Sequence, residues 1–345
     1  MHLDSLFGAR EDVATWRHLV KLVGLFVSIC LMSVIAIPAH AGNPAIKVTL
    51  LGTAGPEYFA ERLGISTLVE ANGRRLLFDV GRGANQRLYE SRVNPKDITH
   101  IFLTHLHNDH FEGLPELWMT PWFLLGRDHG FDLWGPEGTD QMVKGMRTMF
   151  GHDLEKRVNK FNPIANLEIK VHPLAEGVVF DEDGVTVTAF PVEHDDGNPA
   201  YGFRIDHAGH SVLLSGDTTL NDNVIKYGAK ADVIVHNVIA FSQRLSQMPE
   251  MKGVLAKLTT PEQAAEVFKR DAPKMAVFSH IVTKELNGSK GLDEIIARTR
   301  AAGYDGPLTM GKDRMTITVG DTVEVLPPRS LDDLPDLDSK LQVFP

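Results

Sequence analysis

The sequence predicts an α/β fold of four layers, with two β-sheets packed face to face and helices on the outside. Three observations lead there. The chain has 345 residues, 43% of them hydrophobic and 23% charged, a globular composition with ample core. It divides into two halves, each with strand-like runs followed by helical ones, the order expected when two sheets bury one face on each other and cover the other with helices. Its one dense run of His and Asp, residues 105–110, falls at the carboxyl end of the strand-like run 98–104, where open α/β sheets place their sites. No internal repeat is visible.

Residues 1–41 stand apart. Arg10, Arg17 and Lys21 precede the uncharged stretch 22–37, and Ala39-His40-Ala41 then offers a small-x-small cleavage site before Gly42. That order is a secretory signal peptide, so the mature chain is expected to be periplasmic or secreted. The apolar stretch is shorter than the roughly 20 residues a spanning helix needs, which argues against a retained anchor and against stable membrane association after cleavage. The single cysteine, Cys30, lies inside this segment. The mature part therefore has no disulfide framework and no thiolate ligand. Arg10, Arg17 and Lys21 balance Asp4, Glu11 and Asp12, so the mature part keeps the whole net charge of −10. Such a surface repels phosphate polymers unless a basic patch relieves it. No stretch concentrates Lys and Arg among aromatics, so no nucleic-acid partner is expected.

Along the mature domain, 42–326, residues 46–51 read as a strand ending in Gly52-Thr53-Ala54-Gly55. Residues 66–70 and 75–80 form a hairpin around Asn72-Gly73, a strong turn signal. A helix runs to about Ser91, and the apolar, β-branched run 98–104 is a buried strand. Leu114, Leu117, Trp118, Trp122 and Leu125 mark a helix whose tryptophans belong to the core. A second helix, 138–150, carries Met142, Met146 and Met149 on one face, also read as core. Residues 167–193 give three short strands around Asp183-Gly184. Strands follow over 201–217 and 231–236, with a helix near 220–227 between them. Residues 241–257 lack a clear period and are a candidate substrate-covering loop. Thr260-Pro261-Glu262 opens a helix with Pro in its first turn, and a strand ends at His280. The tail 327–345 reads as irregular.

The densest chemistry is His105-Leu106-His107-Asn108-Asp109-His110, three imidazoles and a carboxylate in six residues. It sits on the loop between the strand 98–104 and the helix that follows, where rigid elements can aim several side chains at one point. Imidazole nitrogen and carboxylate oxygen are the ligands of water-activating zinc sites. Burying so many polar groups together is costly without a cation to satisfy them.

His105-x-His107-x-Asp109-His110 resembles the signature loop of the metallo-β-lactamase fold, and the resemblance extends from about Val48 to Val325. It implies three further ligands, His194, Asp217 and His280, each at the end of a strand-like run, and an αββα sandwich with the metals at one edge. It also implies two zinc ions. His105, His107 and His194 would hold one, Asp109, His110 and His280 the other, and Asp217 would bridge. Asp79 resembles the buried aspartate that orients a ligating imidazole from behind.

Two cations about 3.5–4 Å apart can share a water and make hydroxide available near neutral pH. The resemblance thus implies a zinc-dependent hydrolase that uses a metal-bridging hydroxide, with Asp109 also placed to accept a proton. An Asp bridge looks like the phosphodiesterase, sulfatase, lactonase and tRNA-processing branches. Pro199 to Arg204 and Ser215 to Thr218 resemble ribonuclease Z and its relatives. The segment between His194 and Asp217 is too short for a tRNA-gripping arm, however. His236-Asn237-Val238-Ile239 also stands where ribonuclease Z has His-Glu-Ala-Thr. Arg62 to Glu70 and Leu133 to Thr139 are similar to an exported arylsulfatase-like branch.

The expected substrate is therefore a small anionic ester, an aryl sulfate first and a phosphodiester second. His236 is the candidate leaving-group acid, because Asn237 cannot fill the missing glutamate's role. Lactone or β-lactam hydrolysis, a ribonuclease Z-like nuclease and a mononuclear iron dioxygenase are the alternatives, and a homodimer is left open.

Overall fold

A computed structural model of the chain describes residues 44–286, 288–332 and 334. The expected signal peptide and most of the tail from 333 on lie outside the described residues. Eight strands form the first sheet, in the order β15-β14-β1-β2-β3-β4-β5-β6. They are β1 (Ile46–Gly52), β2 (Ser66–Ala71), β3 (Arg74–Phe78), β4 (His100–Phe102), β5 (Phe131–Gly135), β6 (Ile169–Pro173), β14 (Met315–Val319) and β15 (Val323–Leu326). The second sheet has seven strands in the order β13-β12-β11-β10-β9-β8-β7. These are β7 (Gly177–Glu182), β8 (Val185–Val192), β9 (Ala200–His207), β10 (His210–Leu214), β11 (Val233–Phe241), β12 (Met275–Lys284) and β13 (Leu308–Met310). Helices α1 (Ala84–Glu90), α2 (Leu114–Leu124), α3 (Thr139–Met149) and α4 (Gly151–Arg157) belong with the first sheet. Helices α5 (Asp222–Gly228), α6 (Pro261–Asp271) and α7 (Gly288–Ala301) pack on the second.

Local rules explain the elements. Asn72 and Gly73 both take positive φ, 44° and 78°, the conformation of a two-residue hairpin turn that matches strand twist. Thr260 and Gln263 close a capping box at the start of α6, with Pro261 at its first position. Alternation along β1 sends Ile46, Val48 and Leu50 between the sheets. There the ring of Phe102 stacks on Phe78 at 4.9 Å and on Trp134 at 4.6 Å between centroids. Trp118 and Trp122 of α2, both buried, fill the outer core of the first sheet. Phe268 of α6 does the same for the second. The four-layer α/β sandwich is thus present.

Several details differ from the sequence reading. The strand at 98–104 shortens to His100–Phe102, because Leu103 N–H makes the last ladder bond, to the Trp134 carbonyl of β5, and Thr104 N–H goes to the Asp79 side chain. Met149 is 65% exposed rather than core, since α3 ends there, while Met146 is buried. The strand expected to stop at His280 continues to Lys284, so His280 lies within β12.

At the end of α6, Asp271 is buried with Oδ2 unpaired, and burial pushes its carboxyl up to about 7. The folded state therefore holds this proton more tightly than the unfolded chain. Stability should fall as pH climbs from the ordinary carboxyl value through about 7 and level off above it. Asp271→Asn should stabilise the protein at pH 8 by about 1–2 kcal/mol, a discounted share of the full shift, and leave it nearly unchanged at pH 4. Urea unfolding at the two pH values measures this, and equal stability of both proteins at pH 8 would refute it.

Candidate metal centre

The loop after β4 is fastened before its ligand-type residues begin. Asp79 Oδ1 accepts from the Thr104 amide at 2.8 Å, and the Thr104 hydroxyl reaches both Asp79 oxygens at 3.0–3.1 Å. Thr104 Oγ1 also lies 3.0 Å from His105 Nδ1. Asp79 Oδ2 sits 2.8 Å from His110 Nδ1, and His110 closes the short 3₁₀ turn Asn108–His110. The expected role of Asp79 behind an imidazole has this geometry. His194 follows β8 and donates from Nδ1 to the Lys257 carbonyl at 2.9 Å, which leaves Nε2 facing inward. Gly197 lets the chain pass, since a Cβ there would lie 2.2 Å from His194 Cδ2.

Asp217 follows β10. His280 projects from a bulge in β12, where Asn237 pairs with Ser279 and Val238 already with Ile281. Its φ of +43° is a left-handed conformation rare for a non-glycine residue, held at the point where the side chain turns inward.

These elements bring all seven sequence-predicted ligand positions together. His105, His107 and His194 form one group with donor atoms within 4.8 Å of one another; Asp109, His110 and His280 form another, and Asp217 joins His105 and His110 in a third. Asp217 Oδ2 lies 3.5 Å from His110 Nε2, 3.6 Å from His194 Nε2 and 3.2 Å from His280 Nε2. Asp109 Oδ2 stands 3.3 Å from His280 Nε2, and His107 Nδ1 stands 3.2 Å from His194 Nε2.

The electrostatics follow from this crowding. Burial, with the neighbouring His110, pushes His105 well below the usual imidazole range. Burial also opposes charge on His110, but the carboxylates of Asp79 and Asp217 outweigh it and raise its pKa. Burial likewise opposes charge on Asp217, yet His280 and His110 hold it well below the ordinary carboxylate range. The Nε2 atoms of His105 and His110 are buried without a hydrogen-bond partner. Imidazole nitrogens converging on one carboxylate oxygen are satisfied by divalent cations, and the donor set suits zinc.

His236 is not brought to this centre. Alternation along β11 sends Val235 between the sheets and Ile234 and His236 toward the helices, where the His236 ring meets Phe268 edge-on at 5.9 Å. Burial lowers its pKa to about 4, so it is neutral at pH 7 with no proton to give. Asn237 is committed as well. Its amide donates to the Thr218 carbonyl at 3.0 Å and its backbone N–H to Ser215 Oγ at 3.0 Å, bracing the turn that carries Asp217.

The sequence reading missed Lys257 and Asp196. Lys257 ends the stretch 241–257 read as a covering loop; its carbonyl orients His194, and its Nζ lies 2.6 Å from Asp196 Oδ2. Asp196 Oδ1 stands 3.7 Å from His107 Nε2. A backbone carbonyl leaves no sequence signal. A cavity of about 480 Å³ is lined by Glu137, Gly138, Thr139, Pro199 and Tyr201.

Comparison with known proteins places this arrangement. A family model described as anti-Pycsar protein Apyc1 matches residues 46–253. A ribonuclease Z of Mycobacterium sp. (strain KMS) is 34% identical over 286 residues, covering 82% of this chain and 99% of the relative. Among solved structures, the metallo-β-lactamase fold protein YhfI from Bacillus subtilis superposes with TM-score 0.61 at 16% identity, covering 79% of this chain and 98% of its own. The short form of human tRNase Z does so with TM-score 0.59 at 23% identity, covering 79% and 99%. Zinc-bound PqqB from Methylobacterium extorquens reaches 0.52 at 18% identity, covering 79% and 100%.

Proposed function

We propose that this chain, which belongs to the metallo-β-lactamase-fold family of ribonuclease Z and the anti-Pycsar protein Apyc1, is a metal-dependent phosphodiesterase. The observation that carries this reading is the convergence of two donor groups on Asp217, with the buried Nε2 atoms of His105 and His110 lacking partners. His105, His107 and His194 would hold one zinc, Asp109, His110 and His280 a second, and Asp217 would reach both. Cations bound there supply water activation near neutral pH and neutralise charge on a phosphoryl group. The residues do the positioning: Asp79, Thr104 and the Lys257 carbonyl fix the imidazoles, and Asp109 is a proton acceptor beside the nucleophile.

Three expectations change. Aryl sulfate gives way to phosphodiester as the first substrate class, because the relative matched over 99% of its length bears the name ribonuclease Z. That name also speaks against excluding nucleic acid as a substrate. With a net charge of −10, short or single nucleotides suit the surface better than a long phosphate backbone. His236 gives up the role of leaving-group acid.

The test is a panel of matched aryl and alkyl esters, phosphodiester against sulfate, on zinc-reconstituted protein. Phosphodiesters should be hydrolysed at least tenfold faster than the corresponding sulfates. Among them, alkyl esters should lag aryl esters by about 10²-fold or more, the usual worth of a general acid that neither His236 nor Asn237 supplies. Preference for sulfates, or hydrolysis confined to lactones or β-lactams, would overturn the reading.

A further inference from the structure

We infer that Tyr58, backed by Arg82, is a stacking platform for the nucleobase of the substrate, an inference that rests on the phosphodiesterase reading above. Tyr58 is 84% exposed, ahead of every other large hydrophobic side chain among the described residues. Its position is nonetheless fixed. The preceding residue, Glu57, is tied twice, by its carboxylate to Lys284 Nζ of β12 at 2.6 Å and by its carbonyl to Arg82 Nη2 at 3.2 Å. The Arg82 guanidinium carbon then lies 4.3 Å from the centre of the Tyr58 ring. A cation thus occupies one side of an aromatic ring that is otherwise largely open to solvent.

Two chains of contacts link Tyr58 to the Asp109 and His280 side of the candidate centre. Gly55, three residues earlier, lies so close to His280 that a Cβ there would be 3.0 Å from its Cε1. Three residues span at most about 11 Å of backbone, which keeps the Tyr58 Cα within that distance of Gly55. On the other flank, Arg82 Nη1 reaches Glu112 at 3.4 Å, and Glu112 accepts from Asn108, the neighbour of Asp109, also at 3.4 Å. Phe161, 67% exposed, has no comparable tie, because its cation partner is the adjacent Lys160.

Stacking also suits the charge of the molecule. A net charge of −10 weakens the grip on a polymer through its phosphates, whereas base–aromatic stacking needs no net positive field and contributes about 1–3 kcal/mol per base. The chemical class that fits is a nucleoside-bearing phosphodiester with its base on Tyr58 and its phosphate at the donor cluster.

Two pairs of ligands test this on the zinc-reconstituted protein. Thymidine 5′-(4-nitrophenyl phosphate) and methyl 4-nitrophenyl phosphate share leaving group and phosphodiester and differ in the nucleoside. The wild type should favour the nucleoside ester about tenfold in kcat/KM, in line with one stacked base. Tyr58→Ala should lose at least fivefold more on the nucleoside ester than on the methyl ester, mostly through KM, and Tyr58→Trp should restore the preference. Calorimetric binding of adenosine 5′-monophosphate against ribose 5-phosphate gives a readout independent of turnover, with the same Tyr58-dependent preference expected. No preference in wild-type binding, or equal losses on both members of a pair, would overturn the platform. If wild-type protein hydrolyses neither ester but keeps a Tyr58-dependent preference in binding, the platform stands and the hydrolytic reading falls.

Discussion

Asp217→Ala is expected to bind one zinc ion per chain or fewer where the proposed assignment gives the wild type two, and to lower turnover about 10³-fold or more. The expectation comes from the reach of one oxygen. Asp217 Oδ2 faces imidazoles of both donor groups, His194 on one side and His110 and His280 on the other, at 3.2–3.6 Å. Asp109, the other carboxylate among the donors, approaches His110 and His280 but neither His105 nor His194, so it cannot join the groups. Losing a single preorganised group that stabilises developing charge costs about 10²–10³ in rate, and a group shared by both sites should exceed that. Elemental analysis after gel filtration and single-turnover kinetics would report the two effects. A thermal melt in chelator checks that the variant still folds. Two zinc ions and undiminished turnover in Asp217→Ala would show that the ligands are wrongly assigned.

How much of this centre can be read from the sequence depends on how local each part is. His105 to His110 announces itself because six consecutive residues on one loop carry four donors. His194, Asp217 and His280 lie 84 or more residues beyond that loop and emerge only through family resemblance, since nothing in the chain between them says they meet. The bulge at His280 is hidden as well. Its residues read as a strand ending in histidine, whereas the strand continues and one left-handed residue slips out of register.

His236 shows the opposite error. A strand side chain faces one side or the other by a register of two, so a single position decides between the centre and the helices. The sequence neighbourhood of His236 suggested the centre; its packing against Phe268 puts it on the other face. Orientation by a backbone carbonyl, as Lys257 does for His194, leaves no residue signature at all. The sandwich itself was more legible, because alternation, the Asn72-Gly73 turn and the Thr260 cap are encoded within a few residues each.

Asp79→Asn should weaken zinc binding about 10–100-fold with the fold intact, the usual range when a group behind a ligand is lost. Asparagine is the informative replacement because Asp79 has a φ of 55°, which Asn tolerates far better than Ala. The two carboxylate oxygens serve different donors, Oδ1 the Thr104 amide and Oδ2 the His110 Nδ1–H, each at 2.8 Å. An Asn side chain has one acceptor oxygen. The Thr104 amide is a backbone donor that cannot change, so the Asn oxygen must stay with it, and the Asn NH₂ then faces His110. His110 can meet an N–H only by giving up its Nδ1 proton and carrying one on Nε2 instead. That nitrogen points at Asp217, 3.5 Å away, and once protonated it has no lone pair for a cation. Competition titration against a chromophoric chelator would measure the loss, and an unchanged melting temperature in chelator would separate it from unfolding. If Asp79→Asn binds zinc as tightly as the wild type, the aspartate does not set the His110 tautomer.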